Sequence, residues 1–296
     1  MPPARQARPA LAAARDHDVA DTRRTSTPLS PTNPPPSVVE RSRDLREHAV
    51  VTDLVYGDPA VGDVESYLVA PEAGGVGAAV LYLHWFDPEA PDGNRTQFID
   101  EAIGLAALGV VSLLPQSAFP WDGAPTGSAS DTKHIRANLA KQRRGIDLLI
   151  SRRDVDPARI GVVAHDFGAM YGALLASEDR RPVAYALIAG TPRWGDWFLP
   201  FWQIDEERTD YLRAMAPIDP ITHVGAAAPA ELLFQFARND FYIARMTARE
   251  FAGAASEPGS LLFYDAEHDM RHPQARADRL EFLARTLGFD RGTDAA

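Results

Sequence analysis

The chain has no cysteine in its 296 residues. That excludes a disulfide framework, a thiolate zinc site and a cysteine nucleophile. Lysine is nearly absent as well: of thirty basic residues, only Lys133 and Lys141 are lysines. Positive charge is short overall, and the formal net charge is −11. A nucleic-acid binder needs a basic face, and an anionic lipid surface repels an acidic chain, so neither partner is expected. No run approaches the ~20 apolar residues of a membrane-spanning helix. With 45% apolar and 24% charged residues, what remains is the composition of a globular protein, and 296 residues can bury one large core or two small ones.

Residues 1 to about 45 show little apolar periodicity and are rich in Pro, Ala, Arg, Ser and Thr, with a proline run at 34–36. They are expected to be a disordered tail. Arg5 and Arg8 precede a weakly apolar stretch at 10–14 that is too short for a signal peptide, so a cytoplasmic location is the default. From His48 the patterning changes. Residues 48–55 and 64–69 alternate as strands, with Gly57-Asp58-Pro59 and Gly62-Asp63 between them, and predict an antiparallel hairpin at a sheet edge. Apolar runs at 77–84, 110–114, 160–164, 183–189, 231–237 and 261–264 predict six more strands. Helices are expected over 95–108, stopped by Gly109; over about 132–153, with Asp131 as N-cap; and over 168–176, 243–255 and 274–287.

Strands alternating with helices predict a mostly parallel eight-stranded α/β sheet, covered on both faces, in one domain over 46–290. Residues 291–296 are a short C-terminal tail. The segment 191–217 carries Trp194, Trp197, Phe198, Phe201, Trp202 and Tyr211, and is expected to be an irregular, reduced lid.

Residues 159–176 read RIGVVAHDFGAMYGALLA. An apolar strand runs into His165, Asp166 and Phe167, and a helix of small residues follows. This is the layout of a nucleophile elbow, G-x-S-x-G, whose turn is so tight that the residues two before and two after the nucleophile must be small. Here they are Ala164 and Gly168. The tip holds Asp166 in place of serine. A carboxylate is already ionised near neutral pH and needs no base to activate it. Its attack on a saturated carbon gives an alkyl ester that water can hydrolyse. Attack on an ester carbonyl would give a mixed anhydride, which is harder to form. Asp at the tip therefore favours epoxide opening or displacement of halide.

With this elbow in a strand–helix alternation, the chain resembles the α/β-hydrolases, and within them the dienelactone hydrolase-like branch. His-Asp-Phe-Gly is also similar to the elbow of epoxide hydrolases and haloalkane dehalogenases, commonly His-Asp-Trp-Gly. The resemblance implies a chain order of nucleophile, acid and histidine. Asp166 takes the first place. Asp240, in FARNDFY, takes the second, ahead of Asp219 and Asp265. His268, in YDAEHDM, takes the third, ahead of His272. It also implies backbone N–H donors from Phe167 and from the loop after His84, with Trp85 preferred to Phe86. His84, Phe86, Trp121, Trp194, Trp197 and Tyr211 are the expected substrate-binding residues.

No cofactor and no metal is implied, since His268-Asp269 with His272 lacks a further ligand. The expected activity is hydrolysis of a small or medium apolar substrate through a covalent intermediate on an Asp–Asp–His triad. The bond is an ester or lactone, an epoxide or a carbon–halogen bond. Two alternatives stay open: an inactive binding protein in which Asp166 and His268 form a static ion pair, and a lyase or cyclase using the same pair for proton transfer.

Overall fold

The computed structural model describes residues 34–291, so the expected tail lies outside it up to residue 33. Three antiparallel strands come first: β1 (Ser37–Arg46), β2 (Ala49–Asp58) and β3 (Gly62–Pro71). β1 falls inside the stretch expected to be tail. Its sequence, SVVERSRDLR, is exposed at every position, so it carries no buried apolar face by which a strand is recognised. It also moves the β2–β3 hairpin away from the sheet edge. The chain then alternates: β4 (Gly77–Leu83), α1 (Ile99–Ala106), β5 (Val111–Pro115), α2 (Ser128–Ser151), β6 (Val155–His165), α3 (Phe167–Glu178) and β7 (Ala184–Ile188). Three short helices follow, α4 (Trp194–Phe201), α5 (Arg208–Met215) and α6 (Pro220–Val224). The chain closes with β8 (Glu231–Ala237), α7 (Arg245–Gly253), β9 (Gly259–Tyr264) and α8 (Pro273–Leu287).

All nine strands form one sheet in the order β1-β2-β3-β5-β4-β6-β7-β8-β9, parallel from β5 to β9. The expected eight strands are all present; β1 is the ninth. Successive residues of a strand point to opposite faces. On β2 the Tyr56 hydroxyl donates to the Lys141 carbonyl of α2, while Asp53 pairs with Arg95 just before α1. Those two helices therefore cover opposite faces. α8 joins the α1 face through a buried ion pair between Arg279 and Glu101.

Two local expectations fail. Asp131 does not cap α2 but lies inside its first turn, accepting from the Thr126 N–H and the Tyr211 hydroxyl. The segment 191–217 is not irregular but largely helical. Trp194, Trp197, Phe198 and Phe201 recur at helical spacing and form α4. Among the described residues, no helix is long and apolar enough to cross a membrane.

Candidate active site

The strand order sets the position of the site. β4 leads to β5 on one side and β6 leads to β7 on the other, so the loops leaving β4 and β6 diverge. A crevice opens between them at the carboxyl ends of the strands, where ligands bind in such sheets. Asp166 sits there, on the turn between β6 and α3, with φ +57° and ψ −117°. A non-glycine residue in that conformation stores on the order of 1–3 kcal/mol of strain. The turn is held by its surroundings. The Asp166 N–H donates to the Ile188 carbonyl at 2.8 Å, and its carbonyl accepts from Met170 at 3.2 Å. At Gly168 a Cβ would stand 2.1 Å from the Leu83 carbonyl oxygen, so only glycine lets α3 start this close to β4.

The Asp166 side chain is buried, 3% of the residue being exposed. Its Oδ2 accepts from the Phe86 N–H at 3.0 Å, and the nearby Phe167 N–H helps to hold the carboxyl pKa down. Its Oδ1 has no hydrogen-bond partner. Facing it at 3.9 Å is Nε2 of His268, also without a partner. On the far side of that ring, Nδ1–H donates to Asp240 Oδ2 at 3.0 Å. Asp240 is fixed by the N–H groups of Tyr242 and Ile243, 2.8 and 3.0 Å from its Oδ1.

Burial pushes the Asp166 carboxyl up to about 7; Asp240 adds to this, and His268 with the two N–H donors opposes it. Burial also works against charge on His268. The hydrogen bond to Asp240 and the carboxylates of Asp166, Asp240 and Asp269 outweigh it, and the His268 pKa is raised.

A second set of hydrogen bonds locks these groups from behind. The Trp85 N–H does not face Asp166; it donates to Gln97 Oε1 at 2.8 Å. Gln97 Nε2–H donates to His165 Nδ1 at 2.5 Å, and His165 Nε2–H donates to the His268 carbonyl at 2.9 Å. Burial holds the His165 pKa well below its usual value, so the ring is neutral and can accept at one nitrogen and donate at the other. The donor after β4 is thus Phe86, not Trp85. Sequence reasoning also missed Gln97, for which no motif exists.

The aromatic residues divide sharply. The Phe167 ring lies 5.8 Å from Phe86, 6.0 Å from Trp121, 5.6 Å from Trp197 and 5.7 Å from Phe198. Trp197 and Tyr242 pack on the His268 ring at 5.5 and 5.0 Å. The indole N–H groups of Trp121 and Trp197 are buried without an acceptor. Trp197 and Tyr242 also line a hollow of about 410 Å³ together with Phe201 and Phe241.

Three expected binding residues are committed elsewhere. The Trp194 indole donates to the Ile218 carbonyl at 2.7 Å. The Tyr211 hydroxyl donates to Asp131 at 2.8 Å. His84 donates from Nδ1 to the Trp85 carbonyl and accepts at Nε2 from the Ser117 N–H. Its pKa is pushed down to about 4, mainly by burial, so it is a neutral brace under the loop.

A mostly parallel sheet with the acidic turn after β6, Asp240 after β8 and His268 after β9 has the α/β-hydrolase fold. No family model and no curated protein sequence matches the chain. Among solved structures it is similar to acetyl xylan esterase 1 from Thermoanaerobacterium sp., with 12% identity, a TM-score of 0.67, and coverage of 85% of this chain and 88% of that one. It is also similar to an S-formylglutathione hydrolase from Agrobacterium tumefaciens, with 14% identity, a TM-score of 0.65, and coverage of 84% and 99%. A glucuronoyl esterase from Solibacter usitatus matches at 14% identity and a TM-score of 0.64, with coverage of 87% and 88%. At these identities the likeness is one of fold.

Proposed function

We propose that this protein is a hydrolase of the dienelactone hydrolase-like kind that displaces a leaving group from a saturated carbon. Asp166 is the nucleophile, His268 the base and Asp240 its orienting acid. One observation carries the reading: the Phe86 N–H holds Asp166 Oδ2, leaving Oδ1 unpartnered in front of His268. In a serine esterase a backbone N–H of this loop receives the substrate's carbonyl oxygen. Here it is taken by the nucleophile's own Oδ2, which suits attack on carbon rather than acyl transfer. The esterase activities named for the structural neighbours support hydrolytic chemistry on this fold.

In the first step Asp166 Oδ1 forms a bond to the substrate carbon, and the carbon–leaving-group bond breaks with its electron pair. The freed anion is met by indole N–H donors of Trp121 and Trp197. In the second step His268 Nε2 takes a proton from water, and the hydroxide adds to the Asp166 ester carbon. The oxyanion forms on Oδ2, against the Phe86 N–H. Asp240 stabilises the imidazolium meanwhile. Collapse releases the alcohol, which takes the proton from His268; Asp166 is left as the acid and loses its proton to solvent, which regenerates the carboxylate.

An anionic leaving group such as halide or carboxylate fits this shell better than an epoxide. Epoxide opening calls for an acidic hydroxyl, and those of Tyr171 and Tyr211 are bonded to the Phe119 carbonyl and to Asp131. Burial raises the pKa of both. A lyase reading is favoured by the burial of Asp166 beside His268, which pushes its pKa up to about 7 and suits proton transfer near neutral pH.

A single turnover in ¹⁸O-water against haloalkanes, lactones and epoxides separates the two. The Asp166 peptide is expected to gain the label, and a His268→Gln variant to retain the alkyl group as a stable ester. Turnover with an unlabelled Asp166 peptide would assign the residue to proton transfer instead.

A further inference from the structure

We infer that two copies of this chain join through β1, edge to edge and antiparallel, into one continuous sheet. β1 is the outermost strand, ten residues long, and all ten are exposed. They include Val38, Val39 and Leu45 at 43%, 63% and 63% exposure. Long edge strands invite pairing, and monomeric proteins blunt them by shortening, proline, cover, charge or a bulge. Among the described residues β1 is neither short nor covered and holds no proline; it does carry charges and a bulge, and these select the partner.

The side chains choose the occupant. β1 pairs with β2 in register except between Glu40 and Ser42, where Arg41 is an extra residue. The shift reverses the alternation beyond it, so Val38, Glu40, Arg43 and Leu45 share one face, opposite Tyr56, Leu54, Thr52 and Val50. Place a two-fold axis between Arg41 and Ser42. Glu40 of each copy then lies opposite Arg43 of the other, and Val38 opposite Leu45, each pair occurring twice. All are same-face pairs, as directly opposed residues must be. Slipping the axis by half a residue, onto Ser42, sets Arg41 against Arg43 and Glu40 against Asp44.

Glu40 and Arg43 have no ion-pair partner among the described residues, whereas the neighbouring Arg41 and Arg46 are paired with Glu65 and Asp44. A ten-residue antiparallel pair adds about ten backbone hydrogen bonds, the number a typical protein interface carries. The strand thus complements itself in charge, in apolar contacts and in length.

Sedimentation equilibrium of the full chain tests this. The wild type is expected to dimerise with rising concentration. Glu40→Arg sets four arginines against one another in the homodimer, and Arg43→Glu sets four glutamates. Each alone is expected to weaken association about tenfold or more. Mixed in equal amounts, the two variants restore both opposite-charge pairs, and the dimer returns as a heterodimer. A wild type that stays monomeric, a dimer indifferent to both substitutions, or a mixture no stronger than its components would overturn the inference.

Discussion

Replacing Asp166 by Asn should make the protein more stable, and by an amount that depends on pH. The carboxyl has an ordinary pKa of 3.8 and stands at about 7 in the fold. At about 1.36 kcal/mol per unit, keeping it ionised in the folded state costs about 4 kcal/mol once the pH exceeds 7. A raised carboxyl pKa means that the folded state holds the proton more tightly than the unfolded chain. Its contribution to stability is complete below pH 3.8 and is lost as the pH climbs through 7. Asparagine never ionises, keeps the side-chain shape and still accepts from the Phe86 N–H. The gap between variant and wild type should therefore widen by about 4 kcal/mol from pH 4 to pH 8, then level off. His268 contributes a slope of its own, lost as pH rises through its raised pKa. Burial lowers that pKa and the hydrogen bond to Asp240 raises it in both proteins, while the part contributed by the Asp166 carboxylate is lost in the variant and narrows the gap where His268 is charged. Urea unfolding at a series of pH values measures the gap. Parallel curves for the two proteins would mean that Asp166 is not a desolvated carboxylate.

Three further outcomes are expected. Under the proposed mechanism kcat/KM should rise with pH through about 7 and then level off, because an attacking Asp166 must be ionised; a profile that falls through 7 would mark Asp166 as a proton donor. Gly168→Ala should cost more than about 3 kcal/mol in thermal or chemical unfolding, since its Cβ meets the Leu83 backbone at 2.1 Å; a cost under 1 kcal/mol would show that the turn relaxes easily. Gln97→Leu leaves the Trp85 N–H and His165 Nδ1 unpartnered, and should cost about 2–4 kcal/mol of stability and lower kcat; unchanged kcat with lowered stability would confine Gln97 to packing.

The other eight strands were legible because alternating or continuous apolar stretches bounded by turn residues have few other readings. β1 was not, since a strand with neither face buried leaves no period in its composition. The turn at Asp166 was legible from two small residues, Ala164 and Gly168, because sterics there leave little choice. The choice between Trp85 and Phe86 was not. Which N–H points at Asp166 depends on one residue of loop register, and Gln97 decides it by capturing Trp85. Trp194 and Trp197 share a helix and a composition. Only the packing of α4 sends one indole to the Ile218 carbonyl and sets the other ring on His268.

The backbone donor that grips Asp166 also determines which reagents can mark this protein. Fluorophosphonates and boronic acids, which label serine hydrolases, need an attacking hydroxyl and a vacant pair of N–H groups to receive the new oxyanion. Here the hydroxyl is missing and the Phe86 N–H is already taken. In a labelling survey of a whole cell extract the protein should stay dark to such probes. It should light up with small alkylating agents, and the mark should sit on an acidic residue in a chain that has no cysteine to compete for it.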